Sequence, residues 1–209
     1  NALPATEETR DKMSNNEKTN RFVGGANLEI HLQQNDRSTT KFIGRGGVDY
    51  FNFKTAALFP RDLQFEENGL QGHSIQGNTN NTNTNIGGFL VNTFTPNANI
   101  SLTSTAGATL ETGYMDNIVT VATNLVSGQS NLDASANTTT RQFRQKFRDN
   151  GIFIQEDLAL IDAITFSAGV RFDRSTNNGD YLKYYVFPKG SFSWNLAKMK
   201  FWNISSVDN

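Results

Sequence analysis

The chain contains no cysteine. That excludes a disulfide scaffold and every thiolate-ligated metal centre. No run approaches the ~20 apolar residues that a membrane helix needs, and mean hydropathy is low, at -0.50. Only helical spans are excluded by this, because a membrane β-barrel alternates apolar with polar residues and keeps a modest average. An excess of one charge is also missing: 19 basic residues stand against 20 acidic ones, a net charge of -1. No nucleic-acid partner is expected, since phosphate binding wants a clear positive surplus. There is no nucleophile elbow, P-loop or dinucleotide fingerprint, so no enzymatic activity and no cofactor is expected.

Phenylalanine is abundant (16 residues) while proline is scarce (4), and uncharged polar residues are very common. Helical periodicity is nearly absent. The pattern throughout has period two, which is the strand signal. It is clear over residues 26–33, where Ala26, Leu28, Ile30 and Leu32 alternate with Asn27, Glu29, His31 and Gln33. Further strands are expected over about 39–53, 89–94, 99–112, 147–160, 163–173 and 184–196. Long connections are expected over about 54–87, which holds the Asn/Thr tract 78–85, and over about 113–146. Only the tight turn Ile161-Asp162 separates two of the strands. Strands of ~10 residues or more exceed the usual ~5–6 of soluble sheets and suit a tilted membrane strand of ~9–11. Short turns alternating with long loops have the same meaning. The fold expected is an all-β, antiparallel transmembrane β-barrel, with roughly eight to ten of its strands in this chain.

Two runs carry a more specific likeness. Gly169, Arg171, Asp173 and Ser175 match a strand reading T-A-G-x-R-x-D-x-S. Phe187, Pro188, Ser191 and Trp194 match a following strand reading F-P-x-x-S-x-x-W, with slightly variable spacing before the tryptophan. The sequence thereby resembles the barrel of SusC/RagA-type TonB-linked outer-membrane receptors, most densely over about 147–205. The resemblance implies a cell-outer-membrane location, a full barrel of about 22 strands closed by a plug, and import of an oligosaccharide, peptide or chelate. It also implies four partners: outer-membrane lipid, the TonB complex acting through the plug, a SusD-like surface lipoprotein and the nutrient itself. No plug-like segment or TonB-box-like N-terminus is found, and residues 206–209 lack a terminal aromatic. Residues 1–209 are thus expected to be an internal barrel segment of a larger transporter.

Alternation then assigns faces. Glu29, His31, Arg45, Asp49, Glu111, Arg171, Asp173 and Lys189 are expected to face the lumen, first as a hydrated wall joined by cross-strand charge pairs. Leu28, Ile30, Leu102, Phe166, Phe172, Phe192 and Trp194 are expected to face lipid. Glu29 and His31 alone do not make a metal site. The run Asp173–Asp180 misplaces the glycine of a calcium loop and lacks its closing glutamate, so it reads as a hairpin loop. Arg141, Arg144, Lys146 and Arg148 read as a solvated rim, or as a contact for phosphate or lipopolysaccharide. The rival architecture is a soluble β-sandwich binding carbohydrate or protein. Its apolar residues would form a core between two sheets, and periodicity alone does not separate the two cases.

Overall fold

A computed structural model describes residues 3–63, 65, 66 and 69–199. A helix, α1 (Leu3–Lys12), precedes seven strands: β1 (Ser14–Gln34), β2 (Ser38–Phe59), β3 (His73–Asn97), β4 (Ile100–Leu125), β5 (Ser135–Leu160), β6 (Ile164–Ser175) and β7 (Tyr185–Trp194). A short 3-10 turn, Leu196–Lys198, follows. All seven strands form one sheet in sequence order, each paired with its chain neighbours. β5 pairs antiparallel with β6, and β6 with β7. A sandwich needs two facing sheets, whereas the strands of the described residues form a single one. Residues 200–205, the end of the stretch over which the resemblance is densest, lie outside the described residues.

The loop boundaries expected from hydrophobic alternation need correction. The segment 54–87 is largely strand: β2 continues to Phe59 and β3 starts at His73, leaving a connection of residues 60–72. The segment 113–146 is likewise strand except for residues 126–134. The missing residues therefore lengthen existing strands instead of adding new ones, and the described strands number seven, not eight to ten. The physical reason is that the period-two contrast vanishes: over 73–85 and 135–146 both faces are almost wholly polar, and over 113–125 apolar residues fall on both faces, as at Ile118-Val119 and Val121-Ala122. Threonine favours extended backbone, and side-chain amides bond across strands. Asn52 Nδ2 donates to Asn78 Oδ1 at 2.7 Å and to Asn80 Oδ1 at 2.8 Å. Asn117 Nδ2 donates to Thr79 Oγ1 at 2.6 Å.

The short turns have local causes. Asn35 Oδ1 accepts from the amides of Arg37 (3.1 Å) and Ser38 (2.8 Å), an Asx turn that reverses the chain into β2. At the β5–β6 hairpin, Ile161 and Asp162 have φ of 47° and 53°. Two successive positive φ values mark the type I′ turn, whose twist matches the flanking strands.

Chain contacts divide the residues into two units. Unit 1 holds residues 1–23, 48–83 and 113–146; unit 2 holds 24–47, 84–112 and 147–209. Unit 1 carries a small packed cluster around the 60–72 connection. Leu63, Ala122 and Leu125 are buried there, and Glu66 is only 3% exposed. Glu66 Oε2 accepts from the Gly72 amide at 2.9 Å, and Glu66 Oε1 lies 2.8 Å from His73 Nδ1. The His73 ring stacks on Phe59 at 4.1 Å between centroids. Gly72, at φ +81°, packs its Cα against the Arg61 backbone where a Cβ would have to approach to 3.0 Å. Unit 2 carries the alternating apolar stripe, and the one buried apolar side chain described within it is Ala163.

Candidate functional site

Across β5, β6 and β7 the strand registers keep residue parity constant, and the contacts of Arg45 with Phe89, Phe89 with Phe153 and Arg171 with Thr109 carry the same parity to β2, β3 and β4. Phe153, Arg171 and Phe187 stand in register across β5, β6 and β7, as do Ile154, Val170 and Pro188. Because alternate residues point to opposite sides, the odd-numbered residues form one face and the even-numbered residues the other.

The odd-numbered face holds a cleft of about 510 Å³. Its walls include Arg45 from β2, Asn85 and Phe89 from β3, Thr109 and Glu111 from β4, Asp149 and Gly151 from β5, and Arg171 and Asp173 from β6. A row of stacked groups crosses these strands. Arg45 Cζ lies 5.6 Å from the Phe89 ring centroid, the Phe89 and Phe153 centroids are 6.0 Å apart, and Arg171 Cζ lies 6.0 Å from Phe153. Each guanidinium thus rests near an aromatic face, an arrangement worth about 0.5–1 kcal/mol at exposed sites.

Glycine makes the row possible. At Gly107 of β4, a Cβ would stand 2.6 Å from a Phe153 ring carbon and 2.7 Å from one of Phe89. At Gly151 a Cβ would meet Arg171 Nη2 and Asp173 Oδ1, each at 2.5 Å. The rings and the guanidinium occupy space that any larger residue would claim. Arg171 is further fixed by Nε, which donates to Asp173 at 2.7 and 2.8 Å, and by Nη2, which donates to Thr109 Oγ1 at 3.3 Å.

Charge is incompletely matched in the cleft. Asp173 is neutralised by Arg171. Among the described residues no cation pairs with Glu111 or Asp149, and Asp149 Oδ1 is buried without a hydrogen-bond partner. A buried acceptor without a donor is costly, so this wall favours a donor-bearing group in the cleft. The arrangement can hold a polar, hydrogen-bonding ligand against a fixed cationic and aromatic floor.

Of the residues expected at a lumen wall, the structure brings Arg45, Glu111, Arg171 and Asp173 together. Lys189 lies elsewhere on the same face, its stem 3.2 Å from where a Gly169 Cβ would stand. Glu29 is 3.3 Å from both Lys41 Nζ and His31 Nε2, away from the cleft. Asp49 belongs to unit 1 and is held by Arg21 through two bonds of 2.6 and 2.9 Å. The residues expected to meet lipid all lie on the even-numbered face. Leu28, Ile30, Phe166, Phe192 and Trp194 are exposed, and Leu102 and Phe172 half-buried. The rings of Phe166 and Phe192 are register partners with centroids 5.0 Å apart.

Sequence reasoning missed Phe89, Phe153 and Asp149. Phe153 lies inside the apolar run Ile152-Phe153-Ile154, where alternation is silent. The signal that was available is glycine: Gly87 and Gly107 fall on the odd-numbered face beside these rings, and Gly151 beside Arg171 and Asp173.

A family model described as "TonB dependent receptor-like, beta-barrel" matches residues 3–203. The chain belongs to the TonB-dependent receptor-like β-barrel family. Among solved structures, the chain resembles the RagAB peptide transporter with a TM-score of 0.72 over 96% of its length, at 12% identity. The RagAB peptide importer in its "closed-closed" state gives a TM-score of 0.69 over 91%, again at 12% identity. Its "open-open" state gives 0.65 over 90%, at 13% identity. At such identities these likenesses establish a shared fold. The chain spans 22% of the transporter chain it matches. No curated protein matches. The TonB-dependent receptor-like family comprises receptor barrels, not enzymes.

Proposed function

We propose that this chain is a wall segment of an outer-membrane TonB-dependent transporter that imports a nutrient: a peptide, oligosaccharide or chelate. The observation that carries the reading is the division of β6 and β7 into an apolar even-numbered face and a mostly polar odd-numbered face within one antiparallel sheet. The even-numbered face presents the register partners Phe166 and Phe192, and on β1 Leu28 and Ile30, all exposed. A soluble protein rarely leaves so contiguous an apolar surface open, whereas a membrane barrel turns it to lipid. The odd-numbered face presents the Arg45–Asp173 cleft, a polar wall suited to a hydrated lumen. Family membership over residues 3–203 supports the same reading.

In this account the cleft contacts cargo or the parent's plug, and the energy for import reaches the plug through the TonB complex. A SusD-like surface lipoprotein is the expected partner, in keeping with the RagAB likeness. Peptide is the first cargo to test, since the similar structures are described as peptide transporters. Oligosaccharides and chelates follow.

The test is uptake of labelled peptides, oligosaccharides and chelates by cells with and without the full-length parent gene, each with and without a protonophore. The account expects one class whose uptake needs both the parent and the energised membrane. Recovery of the parent in the soluble fraction, or uptake indifferent to its deletion for all three classes, would overturn it.

A further inference from the structure

Arg148 and Arg174 stand on adjacent strands of unit 2, both on the even-numbered face. Arg174 is the register partner of Asn150, and Arg148 lies two residues further along β5. The two side chains are therefore diagonal neighbours, within reach of a shared ligand. Their strand ends are fixed: the Arg148 amide donates to Thr176 Oγ1 at 2.8 Å, and the Thr176 amide donates to the Arg148 carbonyl at 3.1 Å. Arg174 Cζ rests 5.2 Å from the Tyr184 ring centroid. Among the described residues neither guanidinium pairs with a carboxylate. The carboxylates next to them in sequence, Asp149 and Asp173, point to the opposite face by alternation.

What lies beside this pair narrows the partner. The next rung on the same face is Ile152, Phe172 and Val186, and the one after it is Ile154, Val170 and Pro188. Ile152, Ile154 and Val186 are each more than half exposed. Two unneutralised cations with a tyrosine thus border an open apolar surface. The matching partner has an anionic head and an apolar body in the same order.

We propose that Arg148, Arg174 and Tyr184 bind the phosphate of a membrane lipid headgroup, with its acyl chains along the Ile152 and Ile154 rungs. Guanidinium forks match phosphate oxygens bidentately, and tyrosine settles at the headgroup level of membranes. Free phosphate gains nothing from the apolar rungs, so the lipid is the committed occupant. The proposal rests on the reading that the even-numbered face meets lipid.

The test uses the full-length protein extracted from its native membrane. Co-purifying phosphorylated lipid is measured by mass spectrometry for wild type, the double variant Arg148→Gln/Arg174→Gln, the charge-keeping variant Arg148→Lys/Arg174→Lys, and Lys189→Gln on the odd-numbered face. A nitroxide at Phe192→Cys reports in each protein whether the apolar face is in hydrocarbon. With the nitroxide in hydrocarbon throughout, the proposal expects the Gln double variant to lose bound lipid on the order of tenfold or more. The Lys variant, which keeps the charge but not the fork, should lose less than the Gln variant; Lys189→Gln should keep the lipid, and millimolar inorganic phosphate should not displace it. Equal retention by the Gln variant, or displacement by inorganic phosphate, overturns the headgroup site alone. A water-exposed nitroxide in the wild type overturns both this site and the membrane reading.

Discussion

At the scale of single residues, glycine governs the cleft. Gly107 lets Phe89 and Phe153 close over β4, so Gly107→Ala must push both rings aside. Overpacking of this kind costs about 1–3 kcal/mol, and denaturant unfolding of the full-length protein should show that loss. An unchanged midpoint would mean the rings do not depend on the glycine. Ile161 is the opposite case. It is a β-branched residue at φ 47° in a type I′ turn that favours Asn-Gly. Ile161→Asn should raise stability by about 1 kcal/mol, read in the same assay. At this scale much was legible: alternation placed Arg171 and Asp173 on one face, and their mutual bonds follow from that placement. Phe153 was not legible, because its neighbours on both sides are apolar and no contrast marks its face.

At the scale of elements, strands are legible where one face is apolar and the other polar, and not where both are polar, as over 73–85, or where apolar residues fall on both, as over 118–122. Asn52, Asn78 and Asn80 form a side-chain ladder in β2 and β3, yet the same tract looks like a flexible loop in composition alone. The 60–72 connection is the converse: a short stretch of polar sequence that builds a packed cluster around Leu63 and Glu66. Leu63 is 1% exposed, and truncating a buried leucine to alanine costs about 2–5 kcal/mol. Leu63→Ala should therefore open this connection locally, and trypsin should cut at Arg61 much faster in the full-length variant than in wild type. Equal cleavage rates would show that the cluster does not hold the connection closed. The helix α1 reaches this connection too, through Lys12 Nζ at 2.6 Å from Asp62 Oδ2. That bond draws the Asp62 carboxyl below its ordinary value of 3.8. A depressed carboxylate contributes above its unfolded pKa and stops contributing as pH falls through the folded one. Amide exchange near Met13, divided by its intrinsic rate at each pH, should rise in wild type only when pH drops below about 3.8. In Lys12→Gln it should be raised at neutral pH already. No difference between the two proteins at neutral pH would remove the ion pair from the account.

At the scale of the whole molecule, a globular core is missing among the described residues. The buried apolar side chains are Leu63, Ala122, Leu125 and Ala163, far fewer than a soluble domain needs to offset chain entropy. Stability must come from sheet hydrogen bonds and from what covers the two faces, and β1 and β7 stand at the edges of the sheet. The architecture was legible from alternation together with the Gly169–Ser175 and Phe187–Trp194 motifs. The extent of the strands was not, because period-two contrast exists only where one face of a strand is apolar and the other polar.

The most direct test of the membrane reading is a nitroxide scan of Ile164 to Asp173 in the full-length protein within its membrane. Collision rates with oxygen and with a water-soluble relaxant are measured at each position. The account predicts a strict two-residue alternation, with oxygen favoured at 164, 166, 168, 170 and 172 and the water-soluble relaxant at 165, 167, 169, 171 and 173. Even-numbered positions shielded from both agents would mean that protein covers the apolar face, and would contradict the membrane barrel.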